Sequence, residues 1–247
     1  MNSDCKLLRK RVLSAAFSAG EGHVPSSFSV IEIIYIVYRD FMSTNSIFVL
    51  SKGHASLAWY AVLESFEVIP DSWMDSFCKF ESNLGGHPDS TKIPGVVCST
   101  GSLGHGLPFS VGLALGKKIK SQPGEVYCLI GDGEANEGTI WESALIASHH
   151  SLANLTCIID FNKSSDRALS LGDIGKKFES FGWDVIEVDG HDLLELSNAL
   201  SKEVIRPKVI IANTVKGYGL KRMENNPAWH HTKIPEQIFQ ELLLELN

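Results

Sequence analysis

Two short runs, V-Y-C-L-I at 126–130 and L-T-C-I-I-D at 155–160, are apolar at consecutive positions rather than at alternate ones. Successive side chains of a strand point to opposite faces, so such a run suits a strand covered on both sides. A helical pattern at 138–150 separates the two. Further strand candidates at 47–51, 95–100, 184–189 and 208–215 alternate with helical stretches near 54–66, 103–119, 173–181 and 191–202. Strands alternating with helices imply a parallel α/β sheet. The stretch at 30–38 is the most apolar of all, but it carries Glu32 and is too short to span a bilayer, so it reads as a buried helix. The tail at 235–247 reads as an amphipathic helix with Pro235 near its start. No repeat or long linker interrupts the pattern, and residues 1–247 read as one domain.

Charge and cysteine usage narrow the classes. The formal net charge is −7, which leaves no basic footprint for nucleic acid and no polybasic run for a lipid surface. An anionic ligand would have to be held locally, by a metal or by backbone N–H groups. Lys6, Arg9, Lys10 and Arg11 precede a short apolar stretch, which raises the question of a signal peptide. That stretch is at the short end for an export signal, and Leu7, Leu8, Val12, Ala15 and Ala16 fit one helical face. The five cysteines form no C-x-x-C pair, so neither a disulfide framework nor a zinc site is indicated. Cys128 and Cys157 fall within strand runs and read as buried reduced thiols, which fits a cytoplasmic protein.

Open parallel sheets bind ligands beyond the carboxyl ends of their strands. The segment G-D-G-E-A-N-E-G at 131–138 leaves the first apolar run and enters a helix; the second run ends in Asp160, Phe161 and Asn162. About thirty residues, one strand–helix–strand unit, separate Asp132 from Asn162, which places them at neighbouring strand ends. A carboxylate, an amide oxygen and a backbone carbonyl are hard ligands suited to Mg²⁺ or Ca²⁺, with phosphate oxygens and water completing the shell. Gly131 and Gly133 permit close approach of the backbone to a phosphate, and the following helix points its N–H groups at the same spot. Taken alone, G-D-G reads as a plain strand-end turn.

Other segments complete a pattern. G-D-G with an Asn after the next apolar strand resembles the thiamine diphosphate fingerprint. G-D-G-E-A-N-E-G followed by W-E, and N-L-T-C-I-I-D-F-N-K, resemble the transketolase family specifically. G-E-G-H at 20–23, L-S-K-G-H at 50–54, G-G-H-P at 85–88, T-G-S-L-G-H-G at 100–106, K-G-Y-G at 216–219 and E-N-N-P-A-W-H at 224–230 are similar to further motifs of that family, in order. The likeness runs from about residue 6 to 233. Pro25, His105 and the His230–His231 doublet depart from the usual pattern, which bears on substrate choice.

The resemblance implies a three-layer domain with a mostly parallel sheet covered by helices on both faces, the diphosphate-binding domain of thiamine diphosphate enzymes. It implies thiamine diphosphate and Mg²⁺ as cofactors, with Ca²⁺ or Mn²⁺ as substitutes. Asp132, Asn162 and the Ser164 carbonyl would hold the metal. Gly131, Gly133, His54 and Lys216 would contact or neighbour diphosphate; Gly101, Ser102 and Leu103 would line the thiazole side. Glu137 matches a glutamate near the family's subunit boundary and would count among the cofactor-binding residues; the alternative is a helix N-terminal glutamate favoured by the macrodipole. His23 and His230 would handle protons on sugar oxygens, and His54 and His87 would contact the donor. His149, His150 and His191 fall outside the motifs and read as surface or helix-end residues. Full transketolases carry two further domains, so the expected partner is a separate chain supplying the pyrimidine-binding and C-terminal domains, in a heterotetramer acting on sugars or sugar phosphates. Small residues on two helices, Gly112, Ala114 and Gly116 on one and Ser143, Ala144, Ala147 and Ser148 on the other, would suit either that interface or packing within the domain. The alternatives are another thiamine diphosphate-dependent reaction, such as acyl transfer or 2-oxo acid decarboxylation, and a regulatory chain without catalysis.

Overall fold

Five parallel strands form the sheet in the computed structural model, which describes residues 2–166 and 169–246. They are β1 (Ile47–Leu50), β2 (Val126–Gly131), β3 (Leu155–Phe161), β4 (Asp184–Asp189) and β5 (Lys208–Asn213), in the order β1-β2-β3-β5-β4. Burial on both faces explains the unbroken apolar runs. Tyr127, Leu129 and Ile158 face one buried layer, while Cys128, Ile130, Cys157 and Ile159 face the other. Cys128 and Cys157 are paired in register, buried and free, as their place in the runs implies.

The first layer gathers α1 (Ser3–Ala19), α2 (Val24–Phe28), α3 (Ile31–Ile36), α4 (Ser56–Ser65), α8 (Leu193–Ser201) and α9 (Glu236–Glu245). The second is built from α5 (Gly106–Ile119), α6 (Gly138–His149) and α7 (Ile174–Ser180). Right-handed crossovers account for this division. After β1 the chain first adds α4 to the first face; α5 and α6 then lead into β2 and β3 from the second face, and α7 carries the chain past one strand position to β4. It then steps back to β5, which reverses the direction of travel and puts α8 on the first face. The segments leaving β3 and β5 therefore diverge to opposite faces, and a crevice opens between the ends of these neighbouring strands.

Local chemistry sets the helix ends. Asn2 accepts from the N–H groups of Asp4 and Cys5 at the start of α1, and Gly20, at φ +74°, ends that helix and turns the chain toward His23. Leu8, Val12, Ala15 and Ala16 are buried as the helical reading requires, but Leu7 is 62% exposed. The apolar stretch at 30–38 forms α3 and the wide turn Val37–Phe41, and it is buried as expected. No helix among the described residues is long and apolar enough to cross a membrane.

One expectation needs correction, and one open alternative is decided. Residues 95–100 are irregular, not a strand: Pro94 cannot donate to a ladder, Gly95 takes φ +79°, and Val97 is 40% exposed. On α6, Ser143, Ala144 and Ala147 are buried within the domain, so their small size serves packing against its own sheet.

Phe178 is fully buried in the second layer between Trp183 and Trp141, at centroid distances of 5.3 and 5.1 Å. Phe178→Ala should lower the unfolding free energy by about 3–5 kcal/mol. Urea titration would show this as an earlier midpoint with an unchanged slope.

Candidate active site at the strand rim

The β3–β5 crevice holds a cavity of about 710 Å³, lined among others by Asn162, Lys163, Ser164, Thr214, Lys216 and His230. Beneath it lies Asp160, near the end of β3 and fully buried. Its Oδ2 accepts from Lys52 Nζ, from Ser29 Oγ at 2.8 Å and from Asn162 Nδ2 at 2.9 Å; its Oδ1 accepts from Thr214 Oγ1. Burial pushes this carboxyl up, but the Lys52 ammonium and the hydrogen bonds more than offset it and hold it below the usual carboxylate range. A carboxylate only accepts, so the Asn162 amide must turn its nitrogen inward and its oxygen outward. Oδ1 of Asn162 accepts the Ser164 N–H at 3.0 Å and keeps a second lone pair.

Asp132 stands next to this group. Gly131 pairs with Asp160 across β2 and β3, and the Asp132 N–H donates to the Asp160 carbonyl at 3.2 Å. Asp132 Oδ1 accepts from the Gly133 N–H at 2.7 Å, while Oδ2 is buried with no hydrogen-bond partner among the described residues. Burial, then the Asp160 charge, raises its pKa. An unpartnered buried carboxylate oxygen is costly and calls for a cation. No group of three or more His, Cys, Asp or Glu able to hold a metal occurs among the described residues. A divalent ion here would therefore draw on Asp132, Asn162, a backbone carbonyl and oxygens of its ligand, a set that fits Mg²⁺ with a diphosphate. Lys216 supplies positive charge from the β5 side; burial and the neighbouring Lys52 lower its pKa.

The motif histidines form a cluster of their own. His23 and His54 meet edge to face at 4.6 Å between centroids, His54 and His87 at 5.5 Å, and His23 and His230 at 5.1 Å. His230 lines the cavity and lies 6.0 Å from His54, whereas His231 packs against His23 at 4.8 Å. His23 Nδ1 lies 3.1 Å from the His230 carbonyl, which can only accept, so Nδ1 carries the proton and Nε2 has a free lone pair. Burial, followed by neighbouring positive groups, lowers His23 and His54 to about 4. His87 sits in a slot of backbone: a Cβ on Gly53 would lie 2.7 Å from its ring and one on Gly101, at φ +136°, 3.1 Å.

The remaining candidates surround this core. Gly101, Ser102 and Leu103 lead into a loop tied down by Glu134, whose Oε1 accepts from Ser51 Oγ and the Gly104 N–H and whose Oε2 accepts from the Gly131 N–H at 3.2 Å. Glu137 is exposed at the start of α6, against Gly104, and does not line the cavity. His105 is exposed at the start of α5. Sequence reasoning assigns no role to Lys52, Asp160, Ser29, Thr214 or Glu134. A charged residue closing an apolar strand, as Asp160 does, is the available signal. His149 and His150 are exposed as expected, but His191 is not a surface residue: its side chain is 7% exposed and bonded at both ring nitrogens.

A doubly wound sheet with ligand groups gathered at its switch point defines a class of cofactor-binding α/β domains. Comparison with known proteins gives the family. The profile described as "Transketolase, thiamine diphosphate binding domain" matches residues 3–242. The chain is 38% identical over 253 residues to one of the apulose-4-phosphate transketolase subunits, that of Actinobacillus succinogenes, covering 96% of this chain and 91% of that one. It is 31% identical over 264 residues to the 6-deoxy-6-sulfo-D-fructose transketolase subunit SqwG of Clostridium sp., covering 100% and 96%. Campylobacter jejuni transketolase superposes with a TM-score of 0.89 at 26% identity, over 100% of this chain and 43% of that one. The chain belongs to the transketolase thiamine diphosphate-binding domain family. It spans about two fifths of full-length transketolases, 41% in the human case.

Unfolded histidines take up a proton below about 6.5, whereas folded His23 and His54 do so only near 4. Folding therefore excludes protons between those values, and stability should fall as pH drops through that window. The urea midpoint should decrease from pH 7 to pH 5, and a His23→Asn/His54→Asn double variant should lose much of that dependence.

Proposed function

We propose that this chain is the diphosphate-binding subunit of a two-chain transketolase-type enzyme, transferring a two-carbon ketol unit from a ketose to an aldose. The observation that carries the reading is the unpartnered buried Asp132 oxygen at the end of β2, next to the β3 end that carries Asn162, together with the cluster of His23, His54, His87 and His230. Asp132, Asn162 and the Ser164 carbonyl would hold Mg²⁺, and the Gly133 N–H with Lys216 would face the diphosphate. Thiamine diphosphate, when bound, supplies the electron sink for carbon–carbon bond cleavage.

The chain's own contribution is placement and proton transfer. His23 is neutral at pH 7, with Nε2 free to take a proton from a donor hydroxyl and return it to an acceptor oxygen. His54, His87 and His230 crowd the same space and would hold sugar hydroxyls. Asp160 keeps the Asn162 oxygen pointing outward, and Glu134 fixes the loop from Gly101 to Gly106 against the G-D-G turn.

The split into two chains is supported by relatives named as subunits that match nearly end to end, against full transketolases covered for about two fifths of their length. The pyrimidine-binding and C-terminal domains would come from the partner, in a heterotetramer. Those subunits are named for an apulose phosphate and a sulfo-sugar, which favours a specialised sugar substrate over the central pentose phosphates.

Titrating thiamine diphosphate with Mg²⁺ into the chain assembled with its partner should give saturable binding and ketol transfer. Asp132→Ala should abolish both while leaving the fold, and Asp160→Asn should weaken metal affinity about 10–100-fold. Release of CO₂ from a 2-oxo acid without ketose cleavage would overturn the ketol-transfer assignment. Normal activity of Asp132→Ala at limiting Mg²⁺ would overturn the site.

A further inference from the structure

Behind the rim, away from the cavity lining, lies a second buried polar cluster. Arg9 on α1 is fully buried and makes a two-pronged pair with Glu32 on α3, at 2.6 and 2.8 Å. Its other N–H groups donate to the carbonyls of Cys5, Phe28 and Tyr218. His191, in the turn before α8, places Nδ1 3.1 Å from Glu32 Oε2, and its Nε2 accepts the Val215 N–H at 2.9 Å. An N–H group can only donate, so Nε2 is bare and the ring proton sits on Nδ1, aimed at Glu32. The Tyr218 ring stacks on His191 at 3.7 Å. Burial pushes the Glu32 carboxyl up, and the hydrogen bonds from His191 and Arg9 more than offset it.

These contacts converge on the loop that leaves β5. Thr214 is held by Asp160, Val215 by His191, Gly217 by the Pro25 carbonyl at 3.0 Å and Tyr218 by Arg9 at 2.9 Å. Lys216, a cation lining the cavity, lies between them. A buried ion pair adds little stability over an apolar packing of the same volume, so stability alone is a poor reason for this cluster. Its distinctive output is the position of one backbone N–H adjacent to Lys216.

We propose that His191, oriented by the Arg9–Glu32 pair, is a positioning residue for Lys216: by accepting the Val215 N–H it fixes the loop so that the ammonium faces the cavity. The inference rests on the reading above only in taking Lys216 as the cation toward an anionic ligand.

Two substitutions separate the two ends of the ring. His191→Asn keeps a donor near the Nδ1 position and loses the acceptor for Val215. His191→Gln keeps an acceptor near Nε2 and loses the donor to Glu32. In the full chain without ligand, His191→Asn should speed hydrogen exchange of the Val215 amide about tenfold, the loss of one hydrogen bond, whereas His191→Gln should leave it within about twofold. In ¹⁵N-histidine spectra of the native chain, His191 Nε2 should be the unprotonated nitrogen. Unchanged exchange in His191→Asn, or a proton on Nε2, would overturn the proposal. In the assembled protein with Mg²⁺, His191→Asn should weaken thiamine diphosphate binding, yet add less than about a twofold further loss in a Lys216→Met background. Additive losses would mean that His191 merely supports the fold and would also overturn it. Should the native assembly fail to bind thiamine diphosphate, the cofactor reading fails, while the exchange and ¹⁵N results still decide the role of His191.

Discussion

The rim of this sheet depends on the buried carboxylate of Asp160. It draws together a lysine from the β1 end, a serine from the turn before α3, the asparagine two residues on and a threonine from the β5 end. Each partner belongs to a different segment, so one charge sets the relative placement of three strand ends and one turn between helices. Such a carboxylate is tolerable in the interior because its acceptor sites are filled and Lys52 offsets its charge. The order it imposes passes outward through an acceptor-only constraint: the Asn162 nitrogen must face in, so its oxygen faces out.

Two groups of polar side chains gather around this rim. One carries the uncovered Asp132 oxygen with Lys52 and Lys216 nearby, an arrangement ready for a divalent ion and a polyanion. The other is a cluster of imidazoles, among which burial lowers the pKa of His23, His54 and His230, suited to exchanging protons with hydroxyl and carbonyl oxygens. The topology makes this pairing possible. Reversal of the winding after β4 opens the crevice between β3 and β5, and the metal-type ligands and the Lys216 loop come from its two sides.

Much of this is legible in the sequence because it rests on short-range pattern. Unbroken apolar strands, helices at regular intervals and the G-D-G turn define the fold class and place Asp132 and Asn162 at adjoining strand ends. The histidines His23, His54, His87 and His230 stand out through their motif loops, and their rings cluster together, with His230 lining the cavity. Contacts joining distant segments are not legible. Arg9 and Glu32 are separated by a helix and a turn, and His191 reaches them from the far half of the chain, so nothing local marks them as partners. His191 looks like a helix-end residue because it does precede α8; only the packing of α1 and α3 beside it turns its ring inward. The stretch at 95–100 misleads for the opposite reason: its composition suits a strand, but no neighbour offers it a ladder.

The slot around His87 has one more implication. Its walls include the main chain at Gly53 and Gly101: a methyl on Gly53 would collide with the ring, and one on Gly101 would press on it from a backbone conformation that favours glycine. The three positions can be exchanged only in concert. Variation among relatives that differ in the sugar they accept should therefore accumulate at sites such as His105, where a side chain can change without colliding with anything.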